Sequence, residues 1–257
     1  MNPGDAIDGL SGIPTVEPAF GLPAVWIDER NQAQAEALGY TVVDGESVVV
    51  THLTETIRRH ADELLTRQET RKLLDELKER NAAAVEEIVP DKLSVGEVQR
   101  ALQHLLREGV SIRDLGTILE AIGDRAVFTR DPAQLAEAAR QALGRTITAS
   151  FLDDEKTLRA ISLDSALEQE VAAAVAQTPE GEILGLDPAR ARALLASLAE
   201  QVERLTGGGR RPVVLCSSRI RRHLHNLIEQ SFPQLAVVAY NEIVPGIRVE
   251  NAGMVSA

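Results

Sequence analysis

The sequence predicts an α+β protein of several subdomains, with a helix-rich middle and a small α/β subdomain at each end. Three observations predict it. Apolar residues make up 44% of the 257 residues but aromatics only 3%, so Ala, Leu and Val must fill most of the core, and Ala and Leu favour helix. Apolar positions recur near every 3.6 residues through the middle of the chain. Short apolar runs bounded by turn residues stand near both ends. The length suits two or three small domains or one large one.

Residues 1–18 are rich in Gly and Pro and read as an extended lead-in. Leu22 to Ile27 is a short apolar run, predicted as a buried strand. A helix over 30–38 is closed by Gly39, and Tyr40 to Val43 is strand-like. Ser47 to Leu65 is predicted as one helix, with Val49, Leu53, Ile57, Ala61, Leu64 and Leu65 on one face. Further helices are expected at 68–80 and 82–89, the latter stopped by Pro90. Ser94 and Glu97 form a capping box that opens a helix with Val98, Ala101, Leu102, Leu105 and Leu106 inward, ended by Gly109. Helices follow at 112–122 and, after the cap Asp131-Pro132, to about Leu143.

Thr157 to Ser162 alternates like a strand, and a helix is expected over 164–177 with Leu167, Val171 and Val175 inward. Thr178 to Gly185 reads as a linker. Asp187-Pro188 repeats the cap and opens a helix to Leu205. The chain then gives a strand at 212–216, a helix at 218–230, a strand at 235–240 and a last strand near 246–250. This end is a small α/β unit.

Composition narrows the function. A net charge of −12 repels phosphate backbones, so nucleic-acid binding is not expected as the main role. Cys216 is the single cysteine, which rules out an internal disulfide and fits a reducing compartment. The first residues show neither the basic nor the apolar stretch of a secretory leader. No apolar run of roughly 18 residues is present to span a membrane.

No group of residues has catalytic spacing. His52, His60, His104, His223 and His225 lack the zinc-protease pattern, and His223 and His225 point to different sides of a helix. The pairs Asp62-Glu63, Glu86-Glu87 and Asp153-Asp154 are adjacent, so on a helix they diverge by about 100°. Gly207-Gly208-Gly209-Arg210-Arg211 follows a helix and precedes a strand, the reverse of a phosphate loop. Cys216 ends an apolar strand and reads as a buried thiol. Arg219, Arg221 and Arg222, with Arg210 and Arg211, form a basic cluster that suits either an acidic partner or a solvated helix face. No catalytic residue, cofactor or metal is expected, and the chain is not expected to be an enzyme.

Several blocks carry a resemblance. Pro18-Ala19-Phe20-Gly21-Leu22-Pro23 runs into Trp26-Ile27. Then come Gly39-Tyr40, Thr51-His52-Leu53, His60 to Leu65, Arg67-Gln68-Glu69 and Val89-Pro90. Further on stand Gln103 to Asp114, Ile118-Leu119-Glu120, Ala142 to Arg145, Pro212 to Cys216 and Tyr240-Asn241-Glu242-Ile243. In order and spacing these blocks resemble the cytoplasmic part of the FlhA family of flagellar and type III export-gate proteins.

The resemblance implies four subdomains: a first at 1–40 with 90–109, an inserted second at 41–89, a mainly helical third at 110–186 and an α/β fourth at 187–257. It implies that Met1 to Gly4 is internal to the first subdomain, whose opening strands lie outside this chain. It implies a docking platform at the cytoplasmic face of the bacterial inner membrane. That platform forms a nine-subunit ring, binds flagellar export chaperones with their cargo, and meets other export-gate and export-ATPase components. The equivalent part of a virulence injectisome is the alternative within the class. A stand-alone enzyme or adaptor using Cys216 beside Ser217, Ser218 and the arginines is the alternative outside it. By motif matching, the chaperone site falls on Asp62, Leu65 and Gly96. Asp62 and Leu65 are three apart, hence expected on one helix face, and Gly96 leaves room for the partner.

Overall fold

The computed structural model describes residues 10–178, 181–206 and 213–256. It divides into two compact units, residues 1–64 and 65–257. The expected phosphate-loop look-alike at 207–211 lies outside the described residues.

The first unit holds an antiparallel hairpin, β1 (Ile13–Val16) and β2 (Pro23–Trp26), then α1 (Gln32–Ala37), α2 (Gly45–Arg59) and the single turn α3 (Ala61–Leu64). Four expectations are corrected here. The lead-in contains β1. The Leu22–Ile27 segment is a strand but not a buried one, because a two-stranded sheet has no interior strand and Trp26 stays half exposed. Tyr40 to Val43 is irregular rather than a strand. The expected helix Ser47 to Leu65 is also broken. It ends at Arg59, restarts as α3, and leaves Leu65 beyond the helix, so Asp62 and Leu65 do not share a helix face. Neither Pro nor Gly stands at this break, and nothing in the sequence explains it.

The second unit opens with α4 (Arg67–Arg80), α5 (Ala82–Glu86), α6 (Val95–Arg107), α7 (Leu115–Arg125), α8 (Pro132–Ala142) and α9 (Gly144–Ala149). The capping box forms as expected: Glu97 N–H donates to Ser94 Oγ, and Ser94 N–H donates to Glu97 Oε2 at 2.8 Å. Then come β3 (Thr157–Leu163), α10 (Ser165–Ala173), β4 (Val175–Thr178), β5 (Gly181–Leu184), α11 (Pro188–Thr206), β6 (Val213–Cys216), α12 (Ser218–Ile228), β7 (Ala236–Ala239) and β8 (Arg248–Val255). The expected linker at 178–185 is half of the β4–β5 hairpin, and Val175 belongs to β4, not to the preceding helix.

The main sheet is four-stranded and parallel, in the order β7-β6-β3-β8. Both faces are covered, so β6 is buried at every residue. Its alternate residues serve two cores. Val213 and Leu215 join Leu102, Ile118 and Leu135 of the helical block. Val214 and Cys216 join Leu167, Leu198 and Leu224 on the other face. Apolar surface buried in these two layers stabilises the unit by about 25 cal/mol per Å².

Candidate functional site

The Pro18–Pro23 block is the hairpin loop. Glu17 closes it: its carboxylate accepts from Ala19 N–H at 2.9 Å and Phe20 N–H at 2.7 Å, and its own N–H donates to Leu22 O at 2.8 Å. Gly21 takes φ +70°, a left-handed conformation that favours glycine. Arg59 at the end of α2 donates to Ala19 O at 2.6 Å and ties the loop to the helix. Behind the loop lies a mostly apolar groove of about 800 Å³, lined by Val16, Val25, Trp26, Tyr40, Val43 and Val48 among others. The Trp26 and Val43 positions in this groove were missed from sequence, because an apolar run looks the same whether it lines a core or a cleft.

Of the three expected site residues, Asp62 lies in the first unit and is 8% exposed. Leu65 begins the second unit, is 7% exposed, and packs into the core with Leu74, Val98 and Leu102. Gly96 stands in the first turn of α6. A side chain there would meet the Arg67 guanidinium at 3.3 Å. Leu65 O accepts from Gln99 Nε2 at 2.8 Å and Gln103 Nε2 at 3.2 Å. Leu65 is thus held against α6 through Gln99 and Gln103, while Gly96 of the same helix faces Arg67. None of the three lines the apolar groove.

The arginine cluster separates into three fates. Arg221 is fully buried: Nη1 and Nη2 donate to Glu108 at 2.5 and 3.0 Å, and Nε donates to Glu137 at 2.7 Å. Arg222 pairs with Glu182 at 2.7 Å. Arg219 is exposed and has no ion pair among the described residues. Arg140 extends the buried network. It donates to Glu108 at 3.0 Å and, in a two-pronged contact, to Glu242 at 2.6 and 3.1 Å. The Tyr240-Asn241-Glu242-Ile243 block is thereby a plug. Glu242 accepts from Ala239 N–H at 3.0 Å and, through its carbonyl, from Thr148 Oγ1 at 2.9 Å. Gly144 makes the close approach possible, since a Cβ there would sit 2.5 Å from that carbonyl oxygen.

Electrostatics follow the burial. Desolvation works against the Glu108 carboxylate, but Arg221 and Arg140 outweigh it and bring its pKa down to about 2. Burial is the main cause of the lowered values of His104, His223 and His225. Burial also raises the Cys216 thiol, which removes the low-pKa thiolate that a nucleophile needs. Among the described residues, no group of three or more His, Cys, Asp or Glu is placed to hold a metal ion. No helix among them is long and apolar enough to cross a membrane.

The FHIPEP family profile matches residues 1–248. The Bacillus subtilis flagellar biosynthesis protein FlhA is 43% identical over 255 residues, which cover 99% of this chain and 38% of that protein. The Escherichia coli protein of the same name is 39% identical over 95% of this chain and 34% of its own length. The chain thus spans little more than a third of these relatives. Among solved structures, Chlamydia pneumoniae CdsV superposes with a TM-score of 0.82 at 29% identity, covering 92% of this chain and 68% of that one. A nonameric EPEC SctV-C structure gives 0.80 at 27% identity, covering 99% and 76%. With a profile match over nearly its whole length and curated relatives of this identity, the chain belongs to the FHIPEP family of FlhA-like proteins.

Proposed function

We propose that this chain is the docking platform of a bacterial flagellar type III protein export gate. In this reading it binds export chaperone–cargo complexes and forms a ring at the cytoplasmic face of the inner membrane. The observation that carries the reading is the match to proteins named flagellar biosynthesis protein FlhA across 99% of the chain. The similar SctV-C structure is nonameric, which supports a ring of the same kind here. The role is binding and not catalysis, in keeping with a buried, poorly ionised thiol and arginines committed to structural carboxylates. Export-gate and export-ATPase components are the further partners in this reading. The Chlamydia CdsV protein is solved in complex with CdsO, which supports a protein partner for this fold.

Asp62, Leu65 and Gly96 are the proposed chaperone contacts. Leu65 and Gly96 both border α6, and an apolar side chain together with a carboxylate combines desolvation with register. Docking there requires Asp62 and Leu65, each under a tenth exposed, to be uncovered. The test is calorimetry with a cargo-loaded flagellar filament-type chaperone. Asp62→Ala and Gly96→Arg each weaken binding about tenfold, with unchanged circular dichroism. Unchanged affinity in both would remove the site. Binding only to an injectisome chaperone would favour the virulence equivalent, the second reading, which the CdsV and SctV-C likenesses support.

A further inference from the structure

A second groove, of about 500 Å³, lies wholly within the second unit, lined from α7, α8, β4 and the start of α12. Its acids are already committed. Glu137 serves Arg221, Glu182 serves Arg222, and Glu242 serves Arg140. Two of its cations are not. Arg125 and Arg219 line it from α7 and α12, both are exposed, and neither has a carboxylate partner among the described residues. Arg125 Nη2 donates instead to the Gln134 side-chain oxygen at 3.1 Å. Gln177, Asn241 and Ser218 add polar groups to the lining. In a chain of net charge −12 the lining is balanced, with Arg125, Arg219 and Arg222 against Glu137, Glu182 and Glu242, so the two open guanidiniums stand out against an acidic background.

The turn that follows α7 adds an apolar element. Val127 and Phe128 are 71% and 80% exposed, and Phe128 N–H donates to Arg125 O at 2.9 Å, which places this turn directly after the groove-lining Arg125. A water-exposed Phe three residues after an open arginine offers a ligand both an anchor for charge and a surface to desolvate.

We propose that this groove binds an acidic segment of a partner protein. A partner carboxylate sits between Arg125 and Arg219, and a neighbouring apolar side chain rests on Val127 and Phe128. A free small anion would use the arginines but not the apolar pair. A long polyanion would be repelled by the rest of the acidic surface. The volume falls in the range of sites that hold a few residues or a small molecule. The groove is separate from Asp62, Leu65 and Gly96, so this inference goes beyond the chaperone reading and stands or falls independently of it.

The experiment is fluorescence polarisation on the full chain with a short fluorescein-labelled peptide that alternates glutamate and leucine. The peptide binds saturably, and binding weakens with salt. The Arg125→Ala/Arg219→Ala double variant binds it about tenfold more weakly, and Phe128→Ser roughly threefold more weakly. Arg219→Glu alone reproduces the loss, which excludes a trivial effect of the double change. All these side chains are exposed, so thermal melts of the variants match the parent. Three results would overturn the proposal: equal binding of the glutamine version of the peptide, unchanged binding by the double variant, or competition by free citrate as effective as by unlabelled peptide.

Discussion

The helices α2 and α6, of 15 and 13 residues, both carry apolar residues at helical spacing, and they meet opposite fates. In α6, Val98, Ala101, Leu102 and Leu105 are fully buried. In α2 no residue is buried, and Val49, Val50, Leu53 and Ile57 stay at least half exposed. The same contrast separates the two units. The first buries only Ala19 and Ala35 of its described apolar side chains, with Glu17 and Asp62 the shielded polar ones, while the second seals two cores and a network of charged groups. Amphipathic spacing reports a face that needs cover. It does not report whether cover is present, because cover depends on what else the chain brings to that face.

The contrast breaks or holds first on the buried charges. Arg221→Ala leaves Glu108 and Glu137 without their main cation in a dry site, and removing one member of such a pair costs about 3–5 kcal/mol. Leu102→Ala removes a fully buried side chain from the helical core and costs about 2–5 kcal/mol. Urea unfolding followed by circular dichroism measures both. Losses below about 1 kcal/mol in both would show the second unit to be as loosely filled as the first.

Acid sharpens the comparison in a smaller step. The folded Glu108 carboxyl titrates at about 2 against an ordinary 4.5. Its contribution is therefore present above the ordinary value and is lost as the pH falls from there through about 2. The amount is about 3 kcal/mol. His104, His223 and His225 are also lowered, chiefly by burial, so their neutral forms belong to the fold and stability drops as the pH falls below about 6.5. Two acid stages are expected, one below about 6.5 and one below about 4.5. Unfolding measured at a series of pH values resolves them. Glu108→Gln lowers stability at neutral pH and flattens only the lower stage.

Legibility in the sequence follows the same divide. The helices of the second unit were readable because their apolar stripes, the Ser94–Glu97 box and the Asp131-Pro132 cap all act locally. β3 was readable from its alternation and β6 and β7 as apolar runs, though not their order in the sheet, which depends on contacts far apart in sequence. The role of Glu242 was not readable. Nothing local marks it, and its partners Arg140 and Thr148 are about a hundred residues away. Arg221 looked like part of a surface cluster because charge in sequence carries no record of depth. In the first unit the errors ran the other way. Apolar β2 reads as a buried strand because hydrophobicity is the signal, and the half-exposed Trp26, like Leu53 on the apolar face of α2, shows that it is a signal without a partner.

The smallest expected effect is the most direct test of that last point. Leu53 and Ile57 lie one turn apart on α2, and both are at least half exposed. Replacing an exposed Leu or Ile by Gln forfeits little burial, and Gln is at least as good a helix former as Ile, so propensity does not offset the reading. Leu53→Gln/Ile57→Gln is therefore expected to change the unfolding free energy by no more than about 0.5 kcal/mol per site. If the double variant costs about 2 kcal/mol or more, this face of α2 is covered in solution by another part of the chain or by a second copy. Repeating the measurement across a range of protein concentrations separates the two, because only cover by another copy makes the loss concentration-dependent.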